Sequence, residues 1–207
     1  MTQSFRYVAL GDSTGLGVGA ERDGGYVDRL AQRLSRSVEG LSVENLCRNG
    51  ATAGDVRATQ VPRALRLSPA LITLVAGIND VVQGLPDEAF AVNLEEIAVL
   101  LARCRAKVVM TNIPNLALSP MAARVPRSIY ENRIEVFNEH AFATARRHGF
   151  TFVDLFEMSR AVLPGHPELF CPDGFHPSGE GYEQWTEILW PAVCSHLPGQ
   201  GAALHGS

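Results

Sequence analysis

Residues 7–15 read Tyr7-Val8-Ala9-Leu10-Gly11-Asp12-Ser13-Thr14-Gly15, four apolar residues running into a glycine-led turn that carries a serine. So short an apolar run, bounded by turn residues, reads as a buried strand. A serine where such a strand opens into its turn is held at the carboxyl edge of the sheet, where ligands bind in open α/β folds. Residue type and position together make Ser13 a candidate nucleophile. Gly11 to Gly15 also satisfies the G-x-S-x-G elbow of α/β-hydrolases, but only twelve residues precede Ser13. That is room for one strand, where the elbow needs several strands and an oxyanion loop before the serine. The continuation Gly15-Leu16-Gly17-Val18-Gly19 lacks both the Gly-Lys-Ser/Thr ending of a phosphate loop and the dinucleotide spacing, so no cofactor is expected.

Beyond this strand, short apolar runs alternate with longer segments of helical period, the pattern of βα units around a mainly parallel sheet. Strands are predicted over about Arg6–Leu10, Ser42–Cys47, Leu71–Ala76, Lys107–Asn112 and Thr151–Asp154. Helices are predicted over Tyr26–Ser35, Thr52–Leu67, Asp87–Cys104, Ser128–His148 and Gly179–His196. In the third helix Phe90, Leu94, Ile97, Leu101 and Cys104 recur on one face, a stripe that should cover the sheet. The expected fold class is α/β, a three-layer α/β/α sandwich whose five-stranded parallel sheet has the flavodoxin-like order 2-1-3-4-5. In that order the first three strands are neighbours, so the loops carrying Ser13, Gly50 and Asn79 converge. Residues 1–197 are expected to form a single domain, with 198–207 a flexible tail.

A serine hydroxyl needs a base within hydrogen-bond reach, and the base needs an orienting partner. Of the six histidines, His176 fits best. Asp173 lies three residues ahead, so one turn of chain brings its carboxylate to one imidazole nitrogen and leaves the other for Ser13. Pro172 and Pro177 bracket the pair and restrict the backbone. The plainer reading is that Asp173 caps the turn and His176 is a surface residue. Acyl transfer also needs donors for a developing oxyanion. The Ser13 amide, the Gly50 amide and the Asn79 side chain are available, although Asn49-Gly50 and Ile78-Asn79-Asp80 also read as ordinary turns.

These blocks, Gly11-Asp12-Ser13, Gly50, Gly77-x-Asn79-Asp80 and Asp173-x-x-His176, resemble the SGNH hydrolases, also called GDSL-type esterases and lipases, in content and order across most of the chain. The first block has Thr14 where the fuller family signature has leucine. The resemblance implies Ser13 as nucleophile, His176 as base, Asp173 as its orienting acid, and Ser13, Gly50 and Asn79 as the oxyanion hole. It implies a small-molecule ester substrate and water as reactants. A histidine base predicts a rate that rises through about pH 6.5 and then levels off. Asp12, Asp80 and Asp154 are read as carboxylates that fix their loops.

Ile113 to Arg127 follows the fourth strand as a loop with several apolar side chains. Leu116, Leu118, Met121 and Val125 are candidate contacts for an acyl chain, and Arg124 or Arg127 for an anionic leaving group; packing of the loop onto the domain is the competing reading. Val81, Val82 and Leu85 are open to the same two readings. Cleavage of small or lipid-derived carboxylic esters is the first expectation. A carbohydrate O-deacetylase or acyl thioesterase is the alternative within the same chemistry. A non-catalytic ligand-binding protein and a flavodoxin-like cofactor protein are alternatives of other classes.

Composition narrows the partners. With 46% hydrophobic and 19% charged residues and net charge -4, the chain has the make-up of an ordinary globular protein and no global field for nucleic acid. No apolar run approaches the roughly 18 to 20 residues that span a bilayer. Met1 to Arg6 lacks the pattern of a secretory leader, so the expected location is the cytoplasm. Cys47, Cys104, Cys171 and Cys194 are scattered and read as free thiols, Cys47 and Cys104 in the core. The spacing of His166, Cys171 and His176 matches no common zinc pattern, and no metal is expected. Oligomeric state is not legible.

Overall fold

A computed structural model describes residues 5–20, 24–124 and 126–198. Five strands, Arg6–Leu10 (β1), Ser42–Asn45 (β2), Leu71–Leu74 (β3), Lys107–Thr111 (β4) and Thr151–Val153 (β5), form one sheet in the order β2-β1-β3-β4-β5. Every pairing is parallel, with Tyr7 opposite Val43 on one side and Leu71 on the other. The order is the expected one. β3 is buried throughout, as an unbroken apolar run requires, while the polar β2 lies at the edge with three of its four residues exposed.

The helices are Ser13–Leu16 (α1), Tyr26–Ser35 (α2), Ala53–Asp55 (α3), Val61–Arg66 (α4), Ile78–Val82 (α5), Asp87–Leu101 (α6), Arg127–His148 (α7), Leu155–Val162 (α8) and Gly179–Cys194 (α9), with a π-helical turn at Val56–Gln60. α2 packs on α9, while α6 packs on α4 and α7. Right-handed crossovers put these two groups on opposite faces of the sheet, which gives three layers. Phe90, Leu94, Ile97 and Leu101 of α6 are all buried, and Phe90 stacks on Phe137 of α7 at 4.9 Å between ring centroids.

Several predicted bounds are corrected. β2 to β5 each end one or two residues early; past their ends isolated bonds remain, such as Leu46 N–H to the Ala9 carbonyl and Val75 N–H to the Leu10 carbonyl, both at 3.0 Å. α6 ends before Cys104, where Arg103 and Cys104 close tighter turns onto Leu100 and Leu101. α9 likewise stops at Cys194. The helix predicted over Thr52–Leu67 is one α turn, one π turn and α4. The short helices α1, α5 and α8 lay within expected loops. Among the described residues no helix is long and apolar enough to cross a membrane. From residue 199 onward the expected tail lies outside the described residues.

Candidate active site

Where β1 ends, Gly11 takes φ +155°, and a Cβ there would sit 2.6 Å from the Val75 carbonyl oxygen, so only glycine fits. The chain then turns at Asp12, whose Oδ1 accepts from the Thr14 N–H at 2.9 Å and the Thr14 hydroxyl at 2.8 Å. This cap starts α1 at Ser13, which is 5% exposed. Asp12 is fully buried and its Oδ2 has no partner among the described residues. Burial pushes its carboxyl above the ordinary range, against the Thr14 bonds that lower it.

Asp173 and His176 sit in the loop ahead of α9. Asp173 Oδ1 accepts from the amides of Phe175 at 2.7 Å and His176 at 2.9 Å, an Asx turn that Gly174 completes at φ +70°. The same turn sets Asp173 Oδ2 2.6 Å from His176 Nδ1, and His176 Nε2 lies 2.9 Å from Ser13 Oγ across 163 positions of sequence. With Nδ1–H donating to the carboxylate, Nε2 is the acceptor for the serine hydroxyl. Burial of Asp173 favours its neutral form, but hydrogen bonds from His176, the two amides and the Cys171 thiol outweigh it and hold the carboxyl well below the usual range. The loop is anchored by the Cys171 N–H to the His176 carbonyl at 2.9 Å and the Met121 N–H to the Gly174 carbonyl at 3.0 Å.

Gly50 and Asn79 come together through Ala51. Asn79 Nδ2 donates to the Ala51 carbonyl at 3.0 Å, and the Gly50 carbonyl accepts from Gln83 at 3.4 Å. The amide N–H groups of Ser13 and Gly50 have no acceptor among the described residues, and the second Nδ2 hydrogen of Asn79 is likewise open. A Cβ on Gly50 would meet nothing within 4 Å; its φ of +72°, rather than close approach, calls for glycine. Asp80 Oδ2 accepts the Ala53 N–H at 2.9 Å and ties this loop to α3; burial raises its carboxyl, which that bond offsets in part. Asp154 caps α8 by accepting the Glu157 N–H at 3.1 Å and also accepts from Asn112 Nδ2 at 2.8 Å.

A cavity of about 80 Å³, almost wholly apolar, opens beside His176. Thr14 and Ile78, neighbours of Ser13 and Asn79, are among its lining residues, with Leu155, Val162 and Leu163 of the α8 region and Trp185 of α9. Of the predicted acyl contacts only Leu116 lines it. Leu118 is half-buried in a 3₁₀ turn, Met121 is exposed, and Val125 lies outside the described residues. Arg127 is engaged by Glu131 at 3.0 Å. The wall comes instead from α8, and its signal is in the sequence: Asp154 ahead of Leu155, Ser159, Val162 and Leu163 is an N-cap followed by helical spacing. Among the described residues no group of three or more His, Cys, Asp or Glu is arranged to hold a metal ion.

Comparison with known proteins matches residues 9–184 to the model of the GDSL-like lipase/acylhydrolase family. An arylesterase of Vibrio mimicus is 24% identical over 195 residues, covering 94% of this chain and 90% of its own. Esterase TesA of Pseudomonas aeruginosa is 24% identical over 186 residues, 90% of this chain and 86% of its own. A crystal structure of TesA superposes with a TM-score of 0.76 at 25% identity, covering 93% of this chain and 99% of that one.

Proposed function

The chain belongs to the GDSL-like lipase/acylhydrolase family and is a carboxylester hydrolase, and from that premise we propose that Ser13, His176 and Asp173 are its catalytic triad, with Ser13, Gly50 and Asn79 as the oxyanion hole. The observation that carries this reading is the unbroken path from Ser13 Oγ through His176 to Asp173 at 2.9 and 2.6 Å. Ser13 Oγ attacks the ester carbonyl carbon while His176 Nε2 takes its proton. The Asp173 carboxylate stabilises the imidazolium through Nδ1–H. Negative charge on the former carbonyl oxygen meets the open N–H groups of Ser13, Gly50 and Asn79, which need no reorganisation. Collapse of the intermediate breaks the bond to the alcohol oxygen, which His176 protonates as it leaves. Water, deprotonated by the same imidazole, then cleaves the acyl-serine ester, and the proton returns to Ser13.

The apolar cavity favours an ester whose acyl or aryl part is itself apolar over a sugar ester, which would need polar partners in the wall. The test is a panel of p-nitrophenyl esters of rising chain length beside an acetylated sugar and an acyl thioester, with Ser13→Ala as control. The reading expects the apolar esters to turn over fastest. Equal hydrolysis by Ser13→Ala, or a clear preference for the acetylated sugar, would contradict it.

A further inference from the structure

The peptide just ahead of the Asp12–Ser13 turn is gripped by a side chain from outside the sheet. Gln60 Oε1 accepts from the Gly11 N–H at 2.8 Å, and Gln60 Nε2 donates to the Gly11 carbonyl at 2.8 Å. A primary amide bonded to both backbone groups of one residue reproduces the pairing that a neighbouring strand provides, just past the end of β1, where the Gly11 carbonyl also accepts the Arg48 N–H at 3.2 Å. Gln60 is 1% exposed, and an amide so deeply buried costs free energy unless it is paired. The Gln60 amide gives the buried Gly11 N–H its acceptor, which leucine or methionine of similar size would leave unpaired.

The backbone is also unusual. Gln60 ends the π-helical turn Val56–Gln60 between α3 and α4, closed by the Val61 N–H to the Val56 carbonyl. A π turn holds an extra residue, shifts the angular phase of the helix, and is frequent at functional sites. Here it accompanies a side chain that meets Gly11, two residues from Ser13, whose φ of +155° no other residue adopts without strain. We infer that Gln60 is a positioning residue for ester cleavage: its amide fixes the Gly11 peptide and thereby the aim of the Ser13 hydroxyl and of the Ser13 N–H. The inference rests on Ser13 being the nucleophile.

The test compares wild type with Gln60→Met, similar in length but lacking both bonds, and with Gln60→Glu, which retains an acceptor for the Gly11 N–H, as a second variant should the first fail to fold. A fluorophosphonate first counts reactive serines, with the adduct mapped by peptide mass. Turnover of p-nitrophenyl acetate is then expressed per labelled site, well below each Tm. Misplaced reacting groups cost turnover rather than binding, so kcat per labelled site should fall about tenfold or more while KM stays within about threefold. A merely structural Gln60 would lower Tm and the labelled fraction but leave kcat per labelled site within about fivefold, and that result overturns the inference alone. An adduct on a serine other than Ser13 removes the premise and the inference with it.

Discussion

Asp173 and Asp154 are both carboxylates near the carboxyl edge of the sheet, yet their surroundings assign them different work. Asp173 holds the imidazole and two amides, whereas Asp154 caps α8 and orients Asn112. Asp173→Asn should lower kcat by roughly 10²- to 10⁴-fold with the fold intact. Asp154→Ala should cost about 0.5–2 kcal/mol of stability as a lost cap while kcat moves little. Equal losses of kcat in steady-state assays would contradict the division. Asn79→Ala should lower kcat by about 10²- to 10³-fold, with a smaller change in KM. The depressed carboxyl of Asp173 also fixes a sign. Because its folded-state value lies below the unfolded one near about 3.9, its contribution to stability is full above that pH and fades as the carboxylate protonates below it. Calorimetry should therefore find the Tm gap between wild type and Asp173→Asn widest near neutrality and shrinking below about pH 4. A gap that widens on acidification would contradict the assignment of cause.

The long, strongly patterned elements were the readable ones. α2 occupies its predicted span, and the stripe of Phe90, Leu94, Ile97 and Leu101 faces inward as its period requires. What escaped was short or interrupted. α1 and α5 are single turns within the Ser13 and Asn79 segments, α8 starts two residues after β5 ends, and the π turn at Val56–Gln60 leaves no mark in a hydrophobic period. The consequence is local: α8 and α9 line the apolar cavity, the expected contacts Leu118 and Met121 do not, and Val125 lies outside the described residues. If that wall receives the apolar part of the ester, Val162→Phe should shrink the space and lower kcat/KM for long-chain p-nitrophenyl esters by about tenfold relative to the acetate. An unchanged chain-length profile would place that part of the ester elsewhere.

Across the molecule, the sheet order does most to make a site from distant residues. With β1 between β2 and β3, the turns that follow these three strands leave the same edge, and the Asp173–His176 loop closes over them from the other end of the chain. That convergence was legible because spacing and strand alternation constrain the topology to few choices. The Gln60 clamp was not, because nothing in the sequence near residue 60 points to a peptide 49 positions away. The layers that support the site should be separable from its chemistry. Leu94→Ala in α6, a position 1% exposed, should cost about 2–5 kcal/mol by denaturant titration without changing kcat of the folded fraction. A large fall in kcat there would mean that α6 acts on the chemistry directly. The most direct measurement is fluorophosphonate labelling of the wild-type protein followed by peptide mapping, repeated with His176→Ala. One adduct on Ser13, formed far more slowly in the variant, is the expected result; an adduct on another serine, or one whose rate ignores His176, would contradict the triad.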